Sequence, residues 1–169
     1  MKQIAYMLLV IFCLVFQVAV LENLRVLDSS PNLLFLIALY AALFAPRRDA
    51  VIAAWIAGIA FDVFSSGRFG VYGFLFAGAA VPLIYIRDKV FKEHALSQFV
   101  LAALAAAAVE ALAATAVKAQ YPAADSGSLV TGVVVTALWT AVLAPFVLAA
   151  LVRLNRLLGF AERRSLANA

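Results

Sequence analysis

Residues 31–64 read PNLLFLIALYAALFAPRRDAVIAAWIAGIAFDVF. Two apolar runs, 31–45 and 50–64, are split by Pro46-Arg47-Arg48-Asp49, a proline-led turn followed by charge. Each run falls short of the roughly 17–25 residues of an ordinary membrane-spanning helix. They form either two short crossings or one re-entrant pair. A pair entering from outside would strand Arg47 and Arg48 at bilayer depth, at a cost of at least about 2.5 kcal/mol each. Two crossings are therefore expected, with their short length met by local thinning of the bilayer or by protein-lined helix ends.

The same alternation of apolar run and charge continues on either side. Further spans are expected near 4–21, 71–86, 95–117 and 129–152, six in all. Of the 169 residues 67% are apolar and 13% charged, and the mean hydropathy is +1.06. A soluble domain carries roughly 25% charge and leaves about a third of its unfolded surface wet, so lipid is the fitting solvent. Lys2 and the run from Ile4 to Leu21 suggest a signal peptide, but the run exceeds the roughly 7–15 residues of a signal core and is expected to be a retained helix.

Charge sets the orientation. With the N-terminus inside, Lys2, Arg47, Arg48, Arg87, Lys89, Lys92, Arg153, Arg156, Arg163 and Arg164 lie on the inner side, and only Arg25, Arg68 and Lys118 on the outer. That bias follows the positive-inside rule. The expected architecture is an all-α membrane protein, a six-transmembrane-helix bundle with both termini cytoplasmic. One transmembrane domain covers 1–152, and 153–169 form a cytoplasmic tail. In that tail Leu154, Leu157, Leu158 and Ala161 share a stripe flanked by Arg153, Arg156, Arg163 and Arg164, the pattern of an interfacial helix gripping anionic lipid. A partner-binding helix is the alternative. The net charge of +4 thus reflects topology, and no basic cluster interleaved with aromatics points to nucleic acid.

Chemistry-bearing residues are few. Cys13 is the one cysteine and sits in an apolar run, so neither a disulfide nor a metal spacing is available. His94 lies in a charged loop with Lys92 and Glu93 and is read as solvated. No nucleophile stands beside a base, so no catalytic residue, metal or cofactor is expected. The carboxylates Asp62 and Glu110 are the exceptions, because acids within apolar spans are costly and mark function by default.

Asp62 ends its run and shares a helix face with Gly58, Ala54 and Ala50, a small-residue face that admits a neighbouring helix. The turn Ser65-Ser66-Gly67-Arg68-Phe69-Gly70 follows, and Arg68 is within reach of pairing. The alternative is a carboxylate serving only as a staple, held by Arg68 and loop N–H groups. Glu110 sits among Ala103, Ala106, Ala107, Ala113 and Ala114. It either faces a cavity or shares a proton with a neighbouring helix. Asn32, with Glu22, Arg25 and Asp28, lies in the first outer loop, and Gly132, Thr136 and Thr140 form a polar stripe before Pro145. Gly73 and Ala77 precede Pro82, and both prolines are candidate kinks. These residues suggest a polar, outward-facing cavity; the threonines alternatively bond back to their own helix.

Pro31-Asn32-Leu33-Leu34, Tyr40, Pro46-Arg47-Arg48-Asp49-Ala50, Gly58-Ile59-Ala60-Phe61-Asp62-Val63-Phe64-Ser65 and Gly67-Arg68-Phe69-Gly70, taken in order, resemble the rod-shape-determining MreD family. Asn32 stands where Asp is common. The resemblance implies a non-enzymatic scaffold of the bacterial inner membrane, part of the elongation machinery, acting with the bitopic protein MreC, the actin-like MreB, and the peptidoglycan polymerase RodA with its transpeptidase. It also implies a fold similar to the vitamin-binding S components of energy-coupling-factor transporters. Two other functions stay open on the sequence. A vitamin-binding S component would carry an Ala-x-x-x-Ala docking motif in its first helix, which Ile4 to Val10 lacks. An ion-coupled carrier using Asp62 and Glu110 would show inverted repeats, and the two halves show none.

Overall fold

The computed structural model describes residues 2–19, 29–65, 69–87 and 95–157, and in these the chain forms six α-helices. They are α1 (Lys2–Ala19), α2 (Leu33–Phe44), α3 (Arg47–Asp62), α4 (Val71–Ile86), α5 (Ala95–Gln120) and α6 (Ser126–Leu157).

Helix α2 organises the bundle. Its twelve residues are apolar on every side, and such a helix belongs inside. Leu33 to Leu39 and Ala41 to Leu43 are buried, and α2 touches all five other helices. At about 1.5 Å per residue it is roughly 18 Å long, too short to cross a bilayer by itself. Its shortness is met by protein at both ends, as the site below shows, and not by lipid. The expected run 31–45 is thus a central helix rather than one that faces hydrocarbon.

Around it, α3 and α4 pack as one antiparallel hairpin and α5 and α6 as another. Small residues make the first hairpin close: Ala50, Ala54 and Ala57 are fully buried, and a Cβ placed on Gly58 would meet the Tyr72 carbonyl oxygen and stand 2.6 Å from the Gly73 Cα. Phe35, Phe61, Tyr72 and Phe76 fill the space between α2, α3 and α4, with the Phe61 and Tyr72 rings 4.6 Å apart and edge-on. The Tyr6 hydroxyl donates to the Ala53 carbonyl at 2.9 Å and ties α1 to α3.

The outer surface is apolar. Leu8, Ile11, Phe12 and Val15 on α1, Phe74 and Tyr85 on α4, Leu104 on α5 and Phe146 on α6 all stand exposed. Water does not tolerate patches of that extent on a monomer. Helices α5 and α6 contain stretches, Leu96–Gln120 and Ser126–Leu154, long and apolar enough to cross a membrane.

Helix bounds depart from the expected spans where charge was taken for a helix end. Helix α3 begins at Arg47 and not at 50, because Arg47, Arg48 and Asp49 form its first turn behind Pro46. Helix α6 begins at Ser126, where Asp125 caps it, and continues through Arg153 to Leu157, so the tail's first residues extend α6. Helices α4 and α6 each continue across their proline. Residues 158–169, with Arg163 and Arg164, lie outside the described residues, as does the Arg156 side chain; Arg153 is exposed.

Candidate functional site

Helices α2 and α4 both start at one level of the bundle, and a helix start leaves its first N–H groups without intrahelical acceptors. Water would serve at a wet surface. Here the Leu33, Leu34, Tyr72 and Gly73 N–H groups meet side chains from other helices, and residues of all six helices join the network.

For α2 the set has three parts. Gln17, buried in the last turn of α1, accepts from the Leu33 and Leu34 N–H groups through Oε1, at 3.0 and 3.2 Å. Asn32 is the N-cap, its Oδ1 accepting from the Phe35 N–H at 3.0 Å. Its own backbone N–H donates to Thr140 Oγ1 at 3.0 Å, and Thr140 is wholly buried on α6. The Asn32 amide is fixed from its other end: Nδ2 donates to Glu110 Oε1 at 3.3 Å. Asparagine therefore suits position 32 better than aspartate, which would set a second carboxylate against Glu110.

For α4 the solution is different. Its N-cap is Gly70, held at φ 97° in the left-handed region glycine favours, with no side chain to cap anything. Asp62, only 3% exposed at the end of α3, acts instead. Its Oδ1 accepts from the Tyr72 N–H at 3.0 Å and its Oδ2 from the Gly73 N–H at 2.9 Å. A carboxylate also suits the positive end of the α4 dipole. The close approach of Gly58 to Tyr72 and Gly73 brings the acid within reach. Tyr72 completes the circuit, its hydroxyl donating to Glu110 Oε2 at 3.1 Å.

The far end of α2 is closed likewise. Arg87, 7% exposed just after α4, donates through Nη1 to the Ala45 carbonyl at 2.6 Å and the Ala42 carbonyl at 3.4 Å. A cation there complements the negative end of the helix.

Of the residues singled out in the sequence, Asp62, Glu110, Asn32 and Thr140 thus come together, with Gly58 and Gly70 shaping the approach. Thr136 is half-buried one turn from Thr140. Gly67 and Arg68 lie outside the described residues, so the suggested Asp62–Arg68 pair does too. Thr140 serves the α2 cap, a role distinct from bonding back to its own helix. Three participants escaped the sequence reading: Gln17, Tyr72 and Arg87. Gln17 had a signal, an amide inside the apolar run from Ile4 to Leu21, but Tyr72 and Arg87 had none that separates them from other border residues.

Each oxygen of both carboxylates accepts a hydrogen bond from within the chain. Among the described residues no three His, Cys, Asp or Glu side chains gather as a metal site would need. The arrangement does one thing well. It joins six helices by satisfying backbone ends, which is what a medium without water demands.

An apolar exterior around an interior of capped helix ends defines an all-α membrane protein. The chain belongs to the MreD family: the family model described as rod shape-determining protein MreD matches residues 1–159. No curated protein and no solved structure matches it. Family membership assigns the chain to rod-shape determination.

Proposed function

We propose that this chain is a non-enzymatic scaffold of the cell-elongation complex in the bacterial inner membrane. It crosses six times with both termini cytoplasmic, docks an MreC-like one-span partner, and through it supports peptidoglycan synthesis alongside RodA, its transpeptidase and MreB. The supporting observation is the use made of the buried acids. Asp62 and Glu110 spend their oxygens on donors of this chain, Tyr72, Gly73 and Asn32, in an arrangement that serves rigidity rather than turnover. In this reading Asp62, Glu110, Asn32 and Thr140 hold the bundle that presents the docking surface.

The test is made in rod-shaped cells lacking their own family member. The chain is expected to restore rods and to co-purify with a tagged MreC-like protein. With Cys13 replaced by serine, single cysteines at positions 48 and 90 should resist an impermeant thiol reagent in intact cells, and one at 120 should react. Round cells with no co-purification would sink the scaffold reading; labelling of 48 or 90 from outside would sink the topology.

A further inference from the structure

Where α5 ends and α6 begins, a groove of about 270 Å³ runs between the two helices and opens to the outside of the bundle. Its polarity is graded along its length. Toward the middle of the helices it is lined by Ala111, Ala114, Val130 and Val133, and the Thr115 hydroxyl beside them is spent on the Leu112 carbonyl. At the other end stand Lys118 and Ser126. Lys118 is half-buried and gives one N–H to the Ala124 carbonyl, which sets its ammonium one residue from Asp125. An ammonium has three donors, so two are left for another acceptor. Asp125 is exposed, and a carboxylate that accepts from the Ser128 N–H has lone pairs to spare for a second donor.

The depth of the groove follows from its ends. Tyr121, exposed just after α5, and Lys118 in the last turn of α5 are residue types that collect at headgroup level. The charged end of the groove therefore lies at the membrane surface. Ala111 is seven residues back along α5, about 10 Å deeper. A cation and an anion side by side at the surface, above an apolar channel leading into hydrocarbon, complement a zwitterionic phospholipid in both charge and direction. A protein fits less well. A helix about 10 Å across and as long as the groove fills roughly 800 Å³, about three times the space. A two-fold pair of copies would set the same patch against itself, hollow on hollow, and leave the groove empty.

We propose that this groove is a binding site for one phospholipid with a primary ammonium headgroup, its phosphate on Lys118, its ammonium on Asp125 and one acyl chain along Ala111, Ala114 and Val130. The acid makes the choice of headgroup. A choline group has no N–H to give Asp125, and an anionic headgroup sets its charge against that carboxylate.

The experiment uses the full chain in bilayer nanodiscs of phosphatidylcholine doped with a phospholipid that is photoreactive in its acyl chain and carries an ethanolamine, choline or glycerol headgroup. Adducts are mapped residue by residue by mass spectrometry. The ethanolamine probe should label the surroundings of Ala114 and Val130 about threefold more than the other two, the scale of an exposed ion pair. All three should label the Leu104 exterior of α5 alike. Asp125→Asn should bring the ethanolamine probe down to the choline level, Lys118→Met should lower both, and Ala114→Phe should fill the groove and abolish labelling at Val130 with every probe. Asp125→Asn leaves the groove's packing untouched and keeps the test decisive if Ala114→Phe misfolds. Equal labelling of the groove and the Leu104 face by all three probes would reduce the groove to ordinary boundary lipid and overturn the site. A preference for the glycerol headgroup, or an ethanolamine preference that survives Asp125→Asn, overturns the ammonium site on Asp125. A crosslinking residue at Val130 that joins a second copy, with no lipid adduct in the groove, overturns the proposal as well.

Discussion

Helices α4 and α6 begin in opposite ways. In α6 the cap is local: Asp125, just ahead of the helix, accepts from the Ser128 N–H at 2.7 Å, and the group is exposed. In α4 the local position is empty of side chain, Gly70, and the cap arrives from the end of another helix through Asp62, buried. The same backbone problem is thus solved once by sequence neighbours and once by the fold. A local cap holds one turn. A borrowed cap also holds two helices together, so its loss propagates.

Breaking the borrowed cap should give the largest effect. Asp62→Ala leaves the Tyr72 and Gly73 N–H groups without their acceptors, and orphaned buried donors cost about 1–3 kcal/mol each. Asp62→Asn keeps one acceptor oxygen and should fall between the variant and the native protein. The lone Cys13 is buried and supplies the assay, since a thiol-reactive dye reports it only on unfolding. Asp62→Ala is expected to unfold well below the native protein in detergent, and cells relying on it should round. A native melting curve for Asp62→Ala would show that the cap carries no tertiary weight.

A second variant separates the cap from the approach that makes it possible. Gly58→Ala leaves Asp62 in place but drives a methyl into the α4 backbone at Tyr72 and Gly73. Backbone cannot swing aside as a side chain does, so the cost should reach the upper part of the roughly 1–3 kcal/mol usual for overpacking. If the two helices separate, the Asp62 cap weakens with them, and the double variant Asp62→Ala/Gly58→Ala should lose less than the two single losses added. Full additivity would mean that the close approach and the cap are independent.

The contrast also explains what could be read from the chain. Helix α4 was legible to its ends, 71–86, because apolar content, a glycine-rich turn and a following charge all agree there. The small face of Gly58, Ala54 and Ala50 was legible because helical periodicity is local. The partner of that face was not, since Gly73, though noted in its own helix, carries nothing that pairs it with Gly58. Asn32 and Asp62 stood out as polar residues beside apolar runs, but the groups they bond were not legible, because a sequence shows donors and acceptors one at a time. Asn32 needed groups far along the chain, Glu110 and Thr140 at separations of 78 and 108 positions, and that pairing exists only once α2 is central. Arg87 shows the same limit: topology explained its charge, while its bonds to the end of α2 depend on packing.

The smallest effect belongs to the local cap, and its pH dependence gives it a signature. The backbone N–H groups of Ser128 and then Gly127 hold the Asp125 carboxyl below the usual carboxylate range. A lowered value in the folded chain means that the cap's contribution is fully present above the ordinary aspartate range and fades as pH falls through the lowered value. Because the group is exposed, only the first turn of α6 should respond. Asp125→Ala is expected to raise corrected amide exchange at Gly127, Ser128 and Leu129 while leaving the Cys13 dye transition unmoved. In the native protein those amides should lose protection on acidification below the ordinary aspartate range, and in Asp125→Asn they should not. Loss of global stability in Asp125→Ala on the scale of Asp62→Ala would erase the distinction between a cap that holds a turn and a cap that holds a bundle.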